Sequence, residues 1–269
     1  MVTDVARSNP AGKIRVGIVG AGTWAEYGHI PSLKLLPEYE ITAVYSRDPK
    51  KAVAVAERHG IQFALNSLKS LVEHPKVDSG LLPIFGGAFL DMLFTHFGTP
   101  ASITGLLVNH FKEITSIETG VTQPHTSPDQ VVLSGTLANG AVLSVHLEAG
   151  KRNNFGIQLD ITGTEGDFKI SNSTSFGEAF NKLEGARGSA EPLKEMPVPA
   201  SYVWVPPSSL GGSAFELAHL YAAYARDKRE GTSIAPTFRD GLKMHDVIEQ
   251  IEISSRTGAR VTLGEAGPR

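Results

Sequence analysis

The chain has 269 residues, 41% hydrophobic and 20% charged, enough to bury one large core or two modest ones. Its formal net charge of -3, with Lys and Arg scattered, gives no basic field, so direct nucleic-acid binding is not expected. Cysteine is absent, which excludes a disulfide framework, a thiolate metal site and a cysteine nucleophile; no metal site is assigned.

Met1 to Gly12 is polar, without the apolar core of a signal peptide, and reads as a flexible tail. No apolar run is long enough to span a bilayer, so the expectation is a cytoplasmic protein with no membrane partner. Ile14 to Val19 is a nearly continuous apolar and β-branched run, as in a buried parallel strand. The turn Gly20-Ala21-Gly22 follows at once, and Thr23 and Trp24 open the next helix. Glycine suits a backbone that turns tightly and lets a phosphate come close, while the N–H groups of the helix start attract the anion. Ala25 takes the third small position of G-x-G-x-x-A, where a larger side chain pushes the helix off the strand. Such a cradle suits a dinucleotide pyrophosphate. Trp24 either covers that diphosphate or packs under the turn.

Ile41 to Tyr45 reads as a second strand, Pro49 to His59 as a helix capped by Asp48, Gln62 to Ala64 as a short third strand and Leu68 to Glu73 as another helix. This is the first half of a doubly wound nucleotide domain. Where an acidic residue would take the ribose 2'-hydroxyl, the chain has Ser46-Arg47, a pair suited to a 2'-phosphate, which favours NADP over NAD. The alternative is that Arg47 is a solvated loop residue.

The alternation then breaks. After "HPKVD" comes "SGLLPIFGGAFLDML", with Gly80 and Pro83 inside the only candidate for a fourth strand. From Gly86 the spacing of Phe89, Leu90, Leu93 and Phe97 is helical. Further βα units, each about 30 residues, are missing. Strands follow at Glu118 to Thr122, Gln130 to Leu137, Ala141 to Leu147, Phe155 to Thr162 and Asp167 to Ser171, with turns at Asn139-Gly140 and over Gly163 to Gly166. They form an antiparallel sheet with one apolar face that needs a cover. Lys151-Arg152 beside Gly150 reads as a charged hairpin end. Ser189 to Ser213 is a long loop, and helices at Phe215 to Lys228 and Arg239 to Ser254 stop near Gly231 and at Gly258.

The segment "KIRVGIVGAGTWAEYGHIPSLKLLPEYEITAVYSRDPKKA" resembles the N-terminus of the Gfo/Idh/MocA oxidoreductases, the glucose-fructose oxidoreductase and inositol dehydrogenase family. "SPDQVVLSGTLANGAVLSVHLEAG", "ITGTEGDFKI" and "LKMHDVIEQIEISSRTGARV" resemble its C-terminal sheet domain and last helix, in the branch that contains the fungal galactose-regulon repressor. The resemblance implies a Rossmann domain that binds NADP or NAD, then an open antiparallel sheet that carries substrate contacts and builds a homo-oligomer. The family's E-K-P segment, whose lysine helps to move the hydroxyl proton, falls in the stretch missing between Asp78 and Gly86. The second half of the Rossmann domain is missing with it, and cofactor binding is expected to be weakened. "FLDMLFTHFG" puts His96 at the position of the family histidine; Thr99 stands where an aspartate is common, and Asp91 is poorly spaced to share a face with His96.

The expected organisation is a tail over 1–12, the N-terminal part of an NAD(P)-binding Rossmann domain over 13–85, and a sheet domain with closing helices over 86–269. The fold class is α/β plus α+β, with a shortened parallel sheet followed by an open antiparallel sheet. Cofactor contacts fall to Gly20, Gly22, Thr23, Trp24, Ala25, Ser46 and Arg47. His96 is either the catalytic acid/base or a hydrogen-bonded packing residue, while His29 and His245 read as core or helix-surface residues. Three functions remain open. The chain is an oxidoreductase transferring hydride to or from a small sugar, polyol or secondary-metabolite substrate, a non-catalytic NAD(P)-sensing regulator, or a shortened gene product with an impaired cofactor site.

Overall fold

The structure, a computed structural model, describes residues 13–65, 81–115, 120–153, 156–174 and 181–264. In chain order the elements are β1 (Ile14–Val19), a π-helical turn (Ala25–His29) running into α1 (Ile30–Leu35), β2 (Tyr39–Tyr45), α2 (Pro49–His59) and β3 (Phe63–Leu65). A second π-helical turn (Leu81–Gly86) runs into α3 (Gly87–Phe97), followed by β4 (Pro100–Val108), β5 (Glu113–Thr115), β6 (Thr122–Pro124), β7 (Gln130–Leu137) and β8 (Val142–Glu148). Then come β9 (Ile157–Thr162), β10 (Gly166–Asn172), β11 (Lys182–Arg187), β12 (Lys194–Glu195), a 3-10 turn (Ala200–Tyr202), α4 (Gly212–Glu230), α5 (Phe238–Thr257) and β13 (Val261–Thr262). The expected class is borne out: a short parallel sheet, then antiparallel sheets, then two long closing helices.

The chain packs as two compact units, residues 1–73 with 155–235 and residues 74–154 with 236–269. In the first unit, β1, β2 and β3 pair in parallel in that spatial order, with Ile14 opposite Tyr39 and Val19 opposite Tyr45. Ile18, Val44, Val55, Ile30 and Leu33 form its core, closed by Ala218 and Ala225 of α4. Small residues on α4 let its backbone come close, and the buried Ser32 hydroxyl reaches Ala214 O at 2.6 Å. The same unit carries an antiparallel sheet ordered β12-β11-β10-β9. Its turn closes where Gly163 N donates to Gly166 O at 2.9 Å.

In the second unit, the antiparallel order is β13-β4-β7-β8. Ile103, Val131, Leu133, Leu143 and Val145 bury their side chains in one core with Leu90, Leu93 and Phe94 of α3 and Ile248 and Ile251 of α5. The hairpin at Asn139-Gly140 forms with Gly140 at φ 88, a left-handed value that favours glycine. Pro100–Val108, given no element from the sequence because Pro100 and Gly105 lower its apparent propensity, is the long strand β4; a Cβ on Gly105 would stand 3.0 Å from Ile251 O, so the glycine admits α5. Two expectations need correction. The strand expected over Glu118 to Thr122 is displaced: residues 118–119 lie outside the described residues, and β5 pairs with β6 instead. Within "SGLLPIFGG", Leu81–Gly86 is helical and not a broken strand. The helix expected over Leu68 to Glu73 lies outside the described residues. Among the described residues no helix is long and apolar enough to cross a membrane.

Candidate dinucleotide site

β1 delivers the chain to Gly20, whose φ of 104 lies in the left-handed region that favours glycine, and Gly20 N donates to Tyr45 O at 2.7 Å, tying the ends of β1 and β2 together. A Cβ built on Gly20 or on Gly22 meets nothing within 4 Å. Open space beside both glycines is what a pyrophosphate needs. The helical turn begins where Ala25 N and Glu26 N donate to Gly22 O at 3.0 and 3.3 Å, which leaves the N–H groups of Thr23 and Trp24 as first-turn donors without an intrahelical acceptor. They supply the positive end that attracts an anion. Ala25 is buried in the core under the turn, as its small size requires.

The helix continues as a π turn, with Ile30 N donating to Ala25 O. Trp24 is 57% exposed and leans back on its own helix, where a Cβ on Gly28 would strike its ring at 2.7 Å and Leu217 at 2.9 Å. Gly28 is thus needed for packing and was not singled out in the sequence, since it stands outside the glycine motif. His29 Nδ1 meets the Tyr221 hydroxyl at 2.7 Å, and burial lowers its pKa. The Tyr39 hydroxyl donates to Tyr221 O at 2.7 Å.

At the end of β2, Ser46 Oγ accepts from Asp48 N at 3.3 Å and Asp48 Oδ1 accepts from Lys50 N at 3.0 Å, capping α2 as expected. The Asp48 carboxylate is therefore committed to a helix cap. Arg47 is exposed and makes no ion pair with another described residue. Among the described residues the parallel sheet ends at three strands, so the glycine turn fits the phosphates and no described strand supports the nicotinamide side.

His96 stands in the second unit, exposed on the last turn of α3, with Nδ1 2.9 Å from Met92 O. A carbonyl accepts only, so Nδ1 carries the proton and Nε2 of the neutral ring keeps its lone pair. The same unit holds a pairing that the sequence did not announce. Asp129, 1% exposed, accepts through Oδ2 from His110 N at 2.6 Å and Phe111 N at 2.7 Å, and its Oδ1 lies 3.4 Å from His110 Nδ1. Burial pushes the Asp129 carboxyl up, but the Phe111 and His110 N–H groups and the His110 ring outweigh it and hold it below the usual carboxylate range. Its place just before β7 gave no motif. Lys151 sits 3.5 Å from Glu148 at the exposed hairpin end. Among the described residues no cluster of His, Asp and Glu fits a metal.

A strand, a glycine turn with open space and a helix start are the parts of a Rossmann-type dinucleotide-binding turn. Residues 14–83 match the model of an oxidoreductase family with an NAD-binding Rossmann fold, and residues 52–172 match that of the Gal80p C-terminal domain. Among solved structures, a super-repressor mutant of Gal80p from Saccharomyces cerevisiae is similar at a TM-score of 0.72 and 18% identity, covering 93% of this chain and 97% of that one. Levoglucosan dehydrogenase in its apo form is similar at 0.76 and 15% identity, covering 95% of this chain and 100% of that one. Its complex with NADH and L-sorbose gives 0.74 and 14%, covering 94% and 99%. No curated protein sequence matches. The resemblance to the Gfo/Idh/MocA oxidoreductases, with a Gal80-like branch, is borne out.

Proposed function

We propose that the chain binds NADP at the Gly20–Gly22 turn and acts as an oxidoreductase on an alcohol or carbonyl of a sugar, polyol or secondary metabolite. The open space beside Gly20 and Gly22 at a helix start carries this reading. Thr23 and Trp24 N–H groups hold the diphosphate, Ala25 lets the helix approach the strand, and Ser46 and Arg47, which makes no ion pair with another described residue, take the 2'-phosphate. When bound, the nicotinamide supplies hydride chemistry. His96 accepts the hydroxyl proton at Nε2, the nitrogen that its bond to Met92 O leaves basic. A second reading, a non-catalytic NAD(P)-sensing regulator, is favoured by the match of residues 52–172 to the Gal80p C-terminal domain. In both, the chain associates with itself through a sheet and works in the cytoplasm without touching nucleic acid or membrane. Calorimetry with NADP and NAD, followed by NADP-linked oxidation of a polyol panel, separates them. Binding with turnover supports the enzyme; binding without turnover on a broad panel supports the regulator.

A further inference from the structure

A groove of about 520 Å³ lies in the first unit, between the α1–β2 turn (Leu36, Pro37, Glu38), the segment Val203 to Pro206, and the last turns of α4 (Ala222, Arg226, Arg229, Glu230). Glu38 immediately precedes β2, whereas Ser46 and Arg47 follow it, so the groove is at the opposite end of a seven-residue strand from the dinucleotide turn, roughly 20 Å away. Its volume suits a small molecule.

The polar groups of the groove are incompletely paired. Arg226 Nε donates to Glu230 at 2.8 Å and Arg229 donates to the other oxygen of the same carboxylate at 3.3 Å, so two guanidinium groups share one acid and keep further N–H donors unspent. The Arg226 guanidinium stands 5.9 Å from the centre of the Trp204 ring, which holds it in place. Across the lining stands Glu38, whose Oε2 makes no hydrogen bond to another described residue, so the carboxylate bordering the groove keeps acceptor capacity to spare. Two arginines against two glutamates leave the groove neutral as a whole but with its charges unevenly satisfied. A simple anion would meet Glu38 and Glu230; a simple cation would meet the arginines.

We propose that this groove binds a small zwitterion with an apolar body, such as a free amino acid with a large apolar side chain. Its carboxylate lies on Arg226 and Arg229, its ammonium donates to Glu38, and its side chain packs on Leu36, Val203 and Trp204. The site is separate from the dinucleotide turn and does not depend on it.

The test is calorimetry on the full chain with L-phenylalanine, 3-phenylpropionate, which lacks the ammonium, and phenethylamine, which lacks the carboxylate. L-Phenylalanine should saturate one site per chain, and each single-charge analogue should bind at least tenfold more weakly. Glu38→Gln should weaken L-phenylalanine at least tenfold without weakening 3-phenylpropionate, and Arg229→Gln, at an exposed side chain, should weaken L-phenylalanine without weakening phenethylamine. NADP binding should be the same in both variants, so that failure at the groove is distinguishable from failure at the turn. No saturable binding of L-phenylalanine by folded protein, or equal binding of all three compounds, overturns the proposal.

Discussion

His96 and His29 place opposite demands on the imidazole. His96 is exposed, and its single bond to Met92 O fixes the tautomer, so His96→Asn should leave the melting temperature within a degree or two of wild type. If His96 moves the substrate proton, the same change lowers turnover on the order of 10²–10⁴-fold. Paired melting and NADP-linked rate measurements check both halves; a stable variant with unchanged turnover removes the role. His29 is part-buried against Tyr221, and burial lowers its pKa from the ordinary value of 6.5. The folded state therefore takes up the proton less readily than the unfolded chain. Its contribution to stability is complete above pH 6.5 and is lost as the pH falls below that value. Melting curves between pH 7.5 and 5.5 should show a steeper loss for wild type than for His29→Gln. Parallel slopes would contradict the burial assigned to this ring.

At the scale of elements, the pairing of β4 with β7 depends on Gly135, where a Cβ would stand 2.1 Å from Ser102 O, a backbone atom fixed by the sheet. Gly135→Ala should cost about 3 kcal/mol, the upper part of the range for overpacking. Gly241 in α5 has nothing within 4 Å of its Cβ, so Gly241→Ala should instead gain up to about 1 kcal/mol through helix propensity. Chemical denaturation of the two variants checks the opposite signs. The same contrast explains what was legible in the sequence. β1, α2, β7 and α5 carry unbroken periodicity with caps or turns at their ends, and were found within a few residues. β4 begins at a proline and contains a glycine, while β11 reads Lys-Leu-Glu-Gly-Ala-Arg; each is a strand because of its neighbours and not its composition. The glycine turn was legible because its chemistry is local. The Trp24–Gly28–Leu217 packing, the Asp129 pairing and the groove around Glu38 and Arg226 join residues far apart in the chain, and no short spacing announces them.

For the whole molecule, the sheet β12-β11-β10-β9 places Leu159, Ile161, Phe168, Ile170 and Leu183 on one face through its register, and none of these side chains is fully buried. If the chain associates through this sheet as proposed, a second copy would cover this half-open apolar face. Light scattering should give a mass above that of one 28.7 kDa chain, and Ile170→Glu should return it to the monomer; a wild-type monomer at concentrations where it stays folded contradicts this. The central claim is that the Gly20–Gly22 turn holds a dinucleotide diphosphate. Because a Cβ at Gly22 meets no atom of the described residues within 4 Å, Gly22→Val should fold normally and fill the space assigned to the ligand. Calorimetric titration of wild type and Gly22→Val with NADP tests this most directly. Wild type should bind NADP saturably and more tightly than NAD, and the folded variant should not bind it; equal NADP affinity in the two proteins would show that the turn does not hold the diphosphate.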